Sequence, residues 1–117
     1  MGLIRRLRDA RRVRGSAHAA LFERWRGGDG ECVAVDLETT GLDTRKDAVL
    51  AIAAVPVAGT TVKLSQALST TVRGATDFRI DAMRHHRLRP QDIADGAAVD
   101  EALDAFFAVV GNRPILG

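Results

Sequence analysis

Residues 33–42 read Val33-Ala34-Val35-Asp36-Leu37-Glu38-Thr39-Thr40-Gly41-Leu42, and the fold turns on how this stretch is taken. Side chains alternate between the two faces of a strand. Val33, Val35 and Leu37 therefore share one face, while Cys32, Ala34, Asp36 and Glu38 share the other. Both faces start apolar, as expected of a central strand covered on both sides. Two carboxylates then appear on one face, two residues apart. Ionised carboxylates are costly to bury unless they are paired or bound to metal. Two like charges this close repel, and a divalent cation relieves the repulsion. Their hard oxygens suit Mg²⁺ or Mn²⁺. Gly41 permits close backbone approach by a ligand, and the threonines beside it offer hydroxyls to a sugar or phosphate. The pair points to a metal and phosphate site at a strand end. Taken alone, it also fits two carboxylates that simply face solvent past the end of the strand.

Outward from this stretch the pattern stays regular. Polar residues 41–47 make a hairpin connection. Residues 48–57 are nearly continuous in apolar side chains and predict a second buried strand, with Pro56 near its end, where a missing N–H matters least. Gly59-Thr60 turns the chain. Val62, Leu64 and Leu68 alternate with Thr61, Lys63, Ser65 and Ala67, which predicts a half-exposed third strand at an edge. Residues 73–97 are irregular or only briefly helical. Val99, Ala102, Leu103, Phe106 and Val110 then follow helical spacing, predicting a helix over 98–110 that packs on the sheet through Leu103 and Phe106. Asp100 and Asp104 fall on its solvent side. Gly111 ends it, Pro114 closes the segment, and residues 115–117 begin another strand. The order β-β-β-α-β places the chain in the α/β class.

The 117 residues suffice for one modest core and are too few for two. A hydrophobic content of 46% belongs to a globular chain. The net charge of +2 hides an asymmetry. Residues 1–26 carry eight arginines against Asp9 and Glu23, a net +6, while the remainder carries nine basic and thirteen acidic residues, a net −4. The chain thus divides into a basic helical leader with a Gly-rich linker (1–30) and a mildly acidic domain (31–117). Leu3, Leu7, Ala10, Ala17 and Leu21 predict a helix over roughly 3–26, with Gly15-Ser16 as its breaking point. A solvated stripe, a nucleic-acid or partner contact, and an organellar presequence all remain open for it. The single cysteine, Cys32, allows no internal disulfide, and no apolar run approaches the ~20 residues of a membrane span. A secretory signal is not expected, and the expected location is cytoplasmic.

The stretch "VAVDLETTGLDTRKDAVLAIAAVPV" resembles the first motif of the proofreading-type 3′–5′ exonucleases, the DEDD superfamily that includes the polymerase III epsilon subunit and RNase T. The resemblance extends over residues 32–117. It implies an RNase H-like fold, here cut to an antiparallel three-strand meander, a helix and the start of a fourth strand. It also implies that Asp36 and Glu38 hold two divalent metal ions, Mg²⁺ or Mn²⁺, and that Thr39, Thr40, Gly41 and Leu42 hold the 3′-terminal nucleotide. The implied reaction is hydrolysis at the 3′ end of single-stranded DNA or RNA, releasing nucleoside 5′-monophosphates. A DNA polymerase is the further partner this family suggests, and no membrane is implied. Ala51 and Ala53 stand where relatives often have a polar residue and a glycine. In "MRHHRLRPQDI", His86 takes the position of a loop histidine in the family's His-Gly-Ile-Thr, with Arg87 and Arg89 replacing Gly and Thr. The third and fourth acids and the catalytic histidine of the family have no match in this chain. The expected reading is an inactive N-terminal fragment of an exonuclease. The alternative is a non-catalytic nucleic-acid-binding or partner-docking module built on a nuclease remnant.

Overall fold

The computed structural model describes residues 8, 9, 11–28, 30–74 and 87–117. Five strands form one mixed sheet: β1 (Glu31–Thr39), β2 (Val49–Ala58), β3 (Thr61–Val62), β4 (Leu68–Thr71) and β5 (Ile115–Leu116). Among the described residues two helices follow β4, a short α1 (Pro90–Ala94) and the main α2 (Val99–Val110). β1 lies between β2, antiparallel to it, and β5, parallel to it. β3 and β4 both pair with the other edge of β2. The mixed sheet, with α2 covering one face, is the architecture that the resemblance implies.

The third strand is split rather than continuous, and the register gives the reason. Val62 lies opposite Val57, and Leu68 lies opposite Ala54. Five residues on one strand therefore span the interval that two span on β2. The surplus leaves the ladder as the 3₁₀ turn Leu64–Gln66, which puts Leu64 in solvent instead of on a strand. Pro56 sits at this gap. Its carbonyl accepts the Lys63 N–H at 2.9 Å. The N–H and C=O of one strand residue point the same way, so the donor that proline lacks falls where the edge strand has already departed.

The core lies between β2 and α2. Val33, Leu50, Ile52, Ala54, Val72, Ala102 and Val110 are buried, and Ile93 of α1 is buried beside them in the chain's interior. Leu103 and Phe106 pack against these residues, as the helical periodicity predicts. Phe106 touches both of the clusters into which the core divides. Asp100 and Asp104 face outward. Between the helices the chain closes on β4: Ala97 N–H donates to the Thr71 carbonyl at 2.9 Å, and Arg73 N–H donates to the Ala97 carbonyl at 2.8 Å. The approach is so close that a Cβ on Gly96 would sit 2.9 Å from the Thr71 carbonyl.

The leader is not one helix. Arg8, Asp9, Arg11 and Arg12 are helical, turns follow from Val13, and a 3₁₀ turn covers Ala19–Phe22. Gly15 takes φ +84°, and the Ser16 hydroxyl donates to the Val13 carbonyl at 2.7 Å. Both features stop helical propagation at the Gly-Ser pair. Among the described residues no helix is long and apolar enough to cross a membrane.

Candidate active site

The register of β1 on β2 decides where the carboxylates point. Val33, Val35 and Leu37 oppose Pro56, Ala54 and Ile52, and this face takes the α2 side chains. Asp36 opposes Ala53, and Glu38 opposes Ala51. Both acids therefore lie on the sheet face turned away from α2, about 6–7 Å apart along the strand. Asp36 is exposed and Glu38 half-buried. Their floor is made of small side chains. A shallow depression of about 350 Å³ beside Asp36 is lined by Ala34, Ala53, Val55, Ala67 and Ser69. Ala53 thus leaves room next to Asp36. Directly after Glu38 the register slips, so that Thr39 pairs with Val49 and buried Leu50 is the extra residue on β2. A bulge of this kind bends a strand and redirects its end.

The chain then enters the 40–47 loop, and Asp47 organises it. Its carboxylate accepts from the Thr40 hydroxyl at 3.0 Å and from the Asp43 N–H at 2.8 Å. The Thr40 hydroxyl oxygen accepts the Ala48 N–H at 2.9 Å, and the Thr40 N–H donates to the Ala48 carbonyl at 2.9 Å. The Thr39 hydroxyl donates to the Gly41 carbonyl at 2.7 Å. Both threonine hydroxyls thus donate within the loop. Gly41 also belongs to this arrangement. A Cβ there would meet the Asp47 carboxylate at 2.5 Å, so its missing side chain admits Asp47. With the loop closed from within, Leu42 stands at its tip with 98% of its surface exposed. The sequence marks 41–47 only as a polar connection, without singling out Asp47. The signal lay in an acid seven residues after a threonine across a short hairpin.

A family model described as Exonuclease, of the RNase T type, matches residues 33–116. The chain belongs to the exonuclease family. Among solved structures, that of cell-death related nuclease 4 superposes with a TM-score of 0.57 at 13% sequence identity, over 68% of this chain and 29% of that one. At that identity the likeness speaks for the fold, and this chain spans less than a third of the neighbour's length. No curated protein matches the chain.

Within this exonuclease framework, the two acids of the first motif come together on one face, followed by the 39–42 segment. Among the described residues no group of three or more His, Cys, Asp or Glu side chains is placed to hold a metal ion. His86 lies outside the described residues. Arg87 stands where the resemblance puts a glycine, and its φ of +56° is in the left-handed region that favours glycine. Arg89 caps α1: its N–H donates to Asp92 at 2.8 Å, and its guanidinium makes two further bonds to the same carboxylate at 2.8 and 3.1 Å. Its charge is thereby directed to Asp92.

Proposed function

We propose that the chain supplies the first metal-binding strand and the 3′-end loop of a metal-dependent 3′–5′ exonuclease. The reaction is hydrolysis of the terminal phosphodiester bond of a nucleic acid, with release of a nucleoside 5′-monophosphate. The observation that carries this reading is the pair Asp36 and Glu38 on one open sheet face, running straight into a loop that presents Leu42 to solvent. The donor set fits Mg²⁺ or Mn²⁺, since both side chains offer hard oxygens and small neighbours leave space for a hydrated ion. Asp36 and Glu38 would hold the metal, and divalent ions bound there supply charge stabilisation for the entering and leaving oxygens of a displacement at phosphorus.

The remaining work falls to the loop. Leu42 offers an apolar surface that a terminal base can cover, removing both from water. The internal bonds of Thr39, Thr40 and Asp47 fix that surface relative to the carboxylates, so little ordering entropy is lost when a strand end arrives. Two carboxylates fill only part of a metal's coordination sphere. The full activity is therefore assigned to a protein in which further acids and a general base complete the site.

The test uses a labelled single-stranded oligonucleotide with Mg²⁺ or Mn²⁺, together with a Mn²⁺ titration. The 117-residue chain is expected to bind Mn²⁺ weakly, to lose that binding in Asp36→Ala, and to release no mononucleotides. Tight binding that survives Asp36→Ala removes the pair from the metal site. Release of mononucleotides from the 3′ end, abolished by Glu38→Ala, would show that the pair suffices without further acids.

A further inference from the structure

We propose that the outward face of the leader, carrying Arg8, Arg11 and Arg12, is a second nucleic-acid contact that takes backbone phosphates of a strand whose 3′ end lies at Asp36 and Glu38. The proposal rests on the exonuclease reading for the placement of that end. Arg8, Arg11 and Arg12 are helical and stand at i, i+3 and i+4, so they share one face, and all three are exposed. Asp9 and Val13 stand on the other side of the same turn and are half-buried. Each lines a cavity between the leader and the end of α2, of about 510 and 390 Å³ respectively. The arginine face is therefore turned outward by the way the leader docks.

The docking is specific. The His18 ring lies 4.9 Å from the Phe107 ring, and its Nε2 lies 3.9 Å from Asp104. The Asn112 side-chain amide donates to the Glu23 carbonyl at 3.4 Å. The Arg113 guanidinium sits 5.1 Å over the Trp25 ring and reaches Glu31 at 4.0 Å. Asp9 contacts Arg8 at 3.8 Å, a loose pair at the surface that neutralises little. Arg14, Arg24 and Arg26 are also exposed on the same segment.

Guanidinium groups bind phosphate oxygens in pairs, and a cluster of them releases counterions from a nucleic-acid backbone. An anionic membrane is the poorer fit. An interfacial helix must place its apolar side in lipid, and here Val13 and Leu21 face α2 instead. Position sets the length of strand required. The leader joins the domain at the Glu31 end of β1, while Glu38 is seven residues further on, about 23 Å at ~3.3 Å per residue. The leader also packs on α2, behind the sheet face that carries the acids. With one phosphate per ~3.4 Å of stacked strand, that distance corresponds to about seven nucleotides.

The experiment measures binding of oligothymidylates of ~5 and ~20 nucleotides to the 117-residue chain, in Mn²⁺ and across a salt series. Replacing Arg8, Arg11 and Arg12 together by Gln should weaken the longer oligonucleotide about 10-fold and flatten its log–log salt slope by about 2, at ~0.7 per lost phosphate contact. The shorter one should be unaffected, and the triple Lys variant should recover the slope. Circular dichroism shows whether each variant stays folded. An unchanged slope overturns the proposal, as does an equal loss at both lengths. Tighter retention on phosphatidylserine vesicles than on the longer oligonucleotide also overturns it. Failure of the exonuclease reading is seen separately, as Mn²⁺ binding indifferent to Asp36→Ala while the arginine effect remains.

Discussion

Asp47 shows how one side chain can define a loop from inside. It ties Thr40 to Asp43 and occupies the space that Gly41 leaves open. Asp47→Ala removes an acceptor from two donors at once. Each hydrogen bond to a charged group contributes about 1.5–3 kcal/mol at most, and the loop is partly solvated, so a total loss of about 1–2 kcal/mol is expected. The larger consequence should be local. Amide exchange at residues 40–47 should speed up while the β1–β2 ladder stays protected, and protection unchanged in the loop would show that Asp47 does not organise it. Gly41→Ala should produce the same local loosening, because its Cβ displaces the same carboxylate.

Among the elements, α1 carries the clearest electrostatic signature. It has only five residues, begins with Pro90 and owes its start to the Arg89–Asp92 pair. Hydrogen bonds from the Arg89 side chain and backbone hold the Asp92 carboxyl at about 2, below its ordinary 3.8. A carboxyl depressed in the folded state stabilises fully above its unfolded value, and that contribution fades as the pH falls toward the folded one. The start of α1 should therefore be intact above about pH 4 and fray between about pH 4 and 2. The carboxyl carbon shift of Asp92, followed by NMR, should titrate below the ordinary aspartate value of 3.8. The pair lies at the surface, so global stability should hardly respond. An Asp92 that titrates at the ordinary value would show that the pair does not persist in solution.

At the scale of the molecule, one helix joins two small clusters on a single sheet face. Cluster one is Val33, Ala54 and Val110, cluster two is Ile52, Val72 and Ala102, and Phe106 packs against both. Phe106→Ala therefore opens a gap where the halves of the core meet. The usual cost of such a truncation is about 3–5 kcal/mol, and the partial exposure of Phe106 puts this one near 3 kcal/mol. A domain of this size has about 5–15 kcal/mol in hand. Denaturant unfolding of the variant should shift to a much lower midpoint. A change under about 1 kcal/mol would mean that Phe106 does not bridge the clusters.

The sequence by itself determined the strand carrying Asp36 and Glu38, their common face, the buried β2 and the amphipathic α2. Each follows from a local periodicity of two or 3.6 residues, which any burial on one side enforces. The motif in its setting also led to the exonuclease family that the family match supports. Only the tertiary structure decided the rest. The edge strand alternates like a continuous one, but it splits because its register on β2 leaves three residues over, and registers are set between strands rather than within them. The break of the leader at Gly15-Ser16 is legible in the sequence, but its contacts with Phe107, Asn112 and Arg113, some ninety residues away, are not. That Gly41 seats Asp47 is likewise decided by the fold, because the space beside a glycine belongs to whichever side chain the fold brings there.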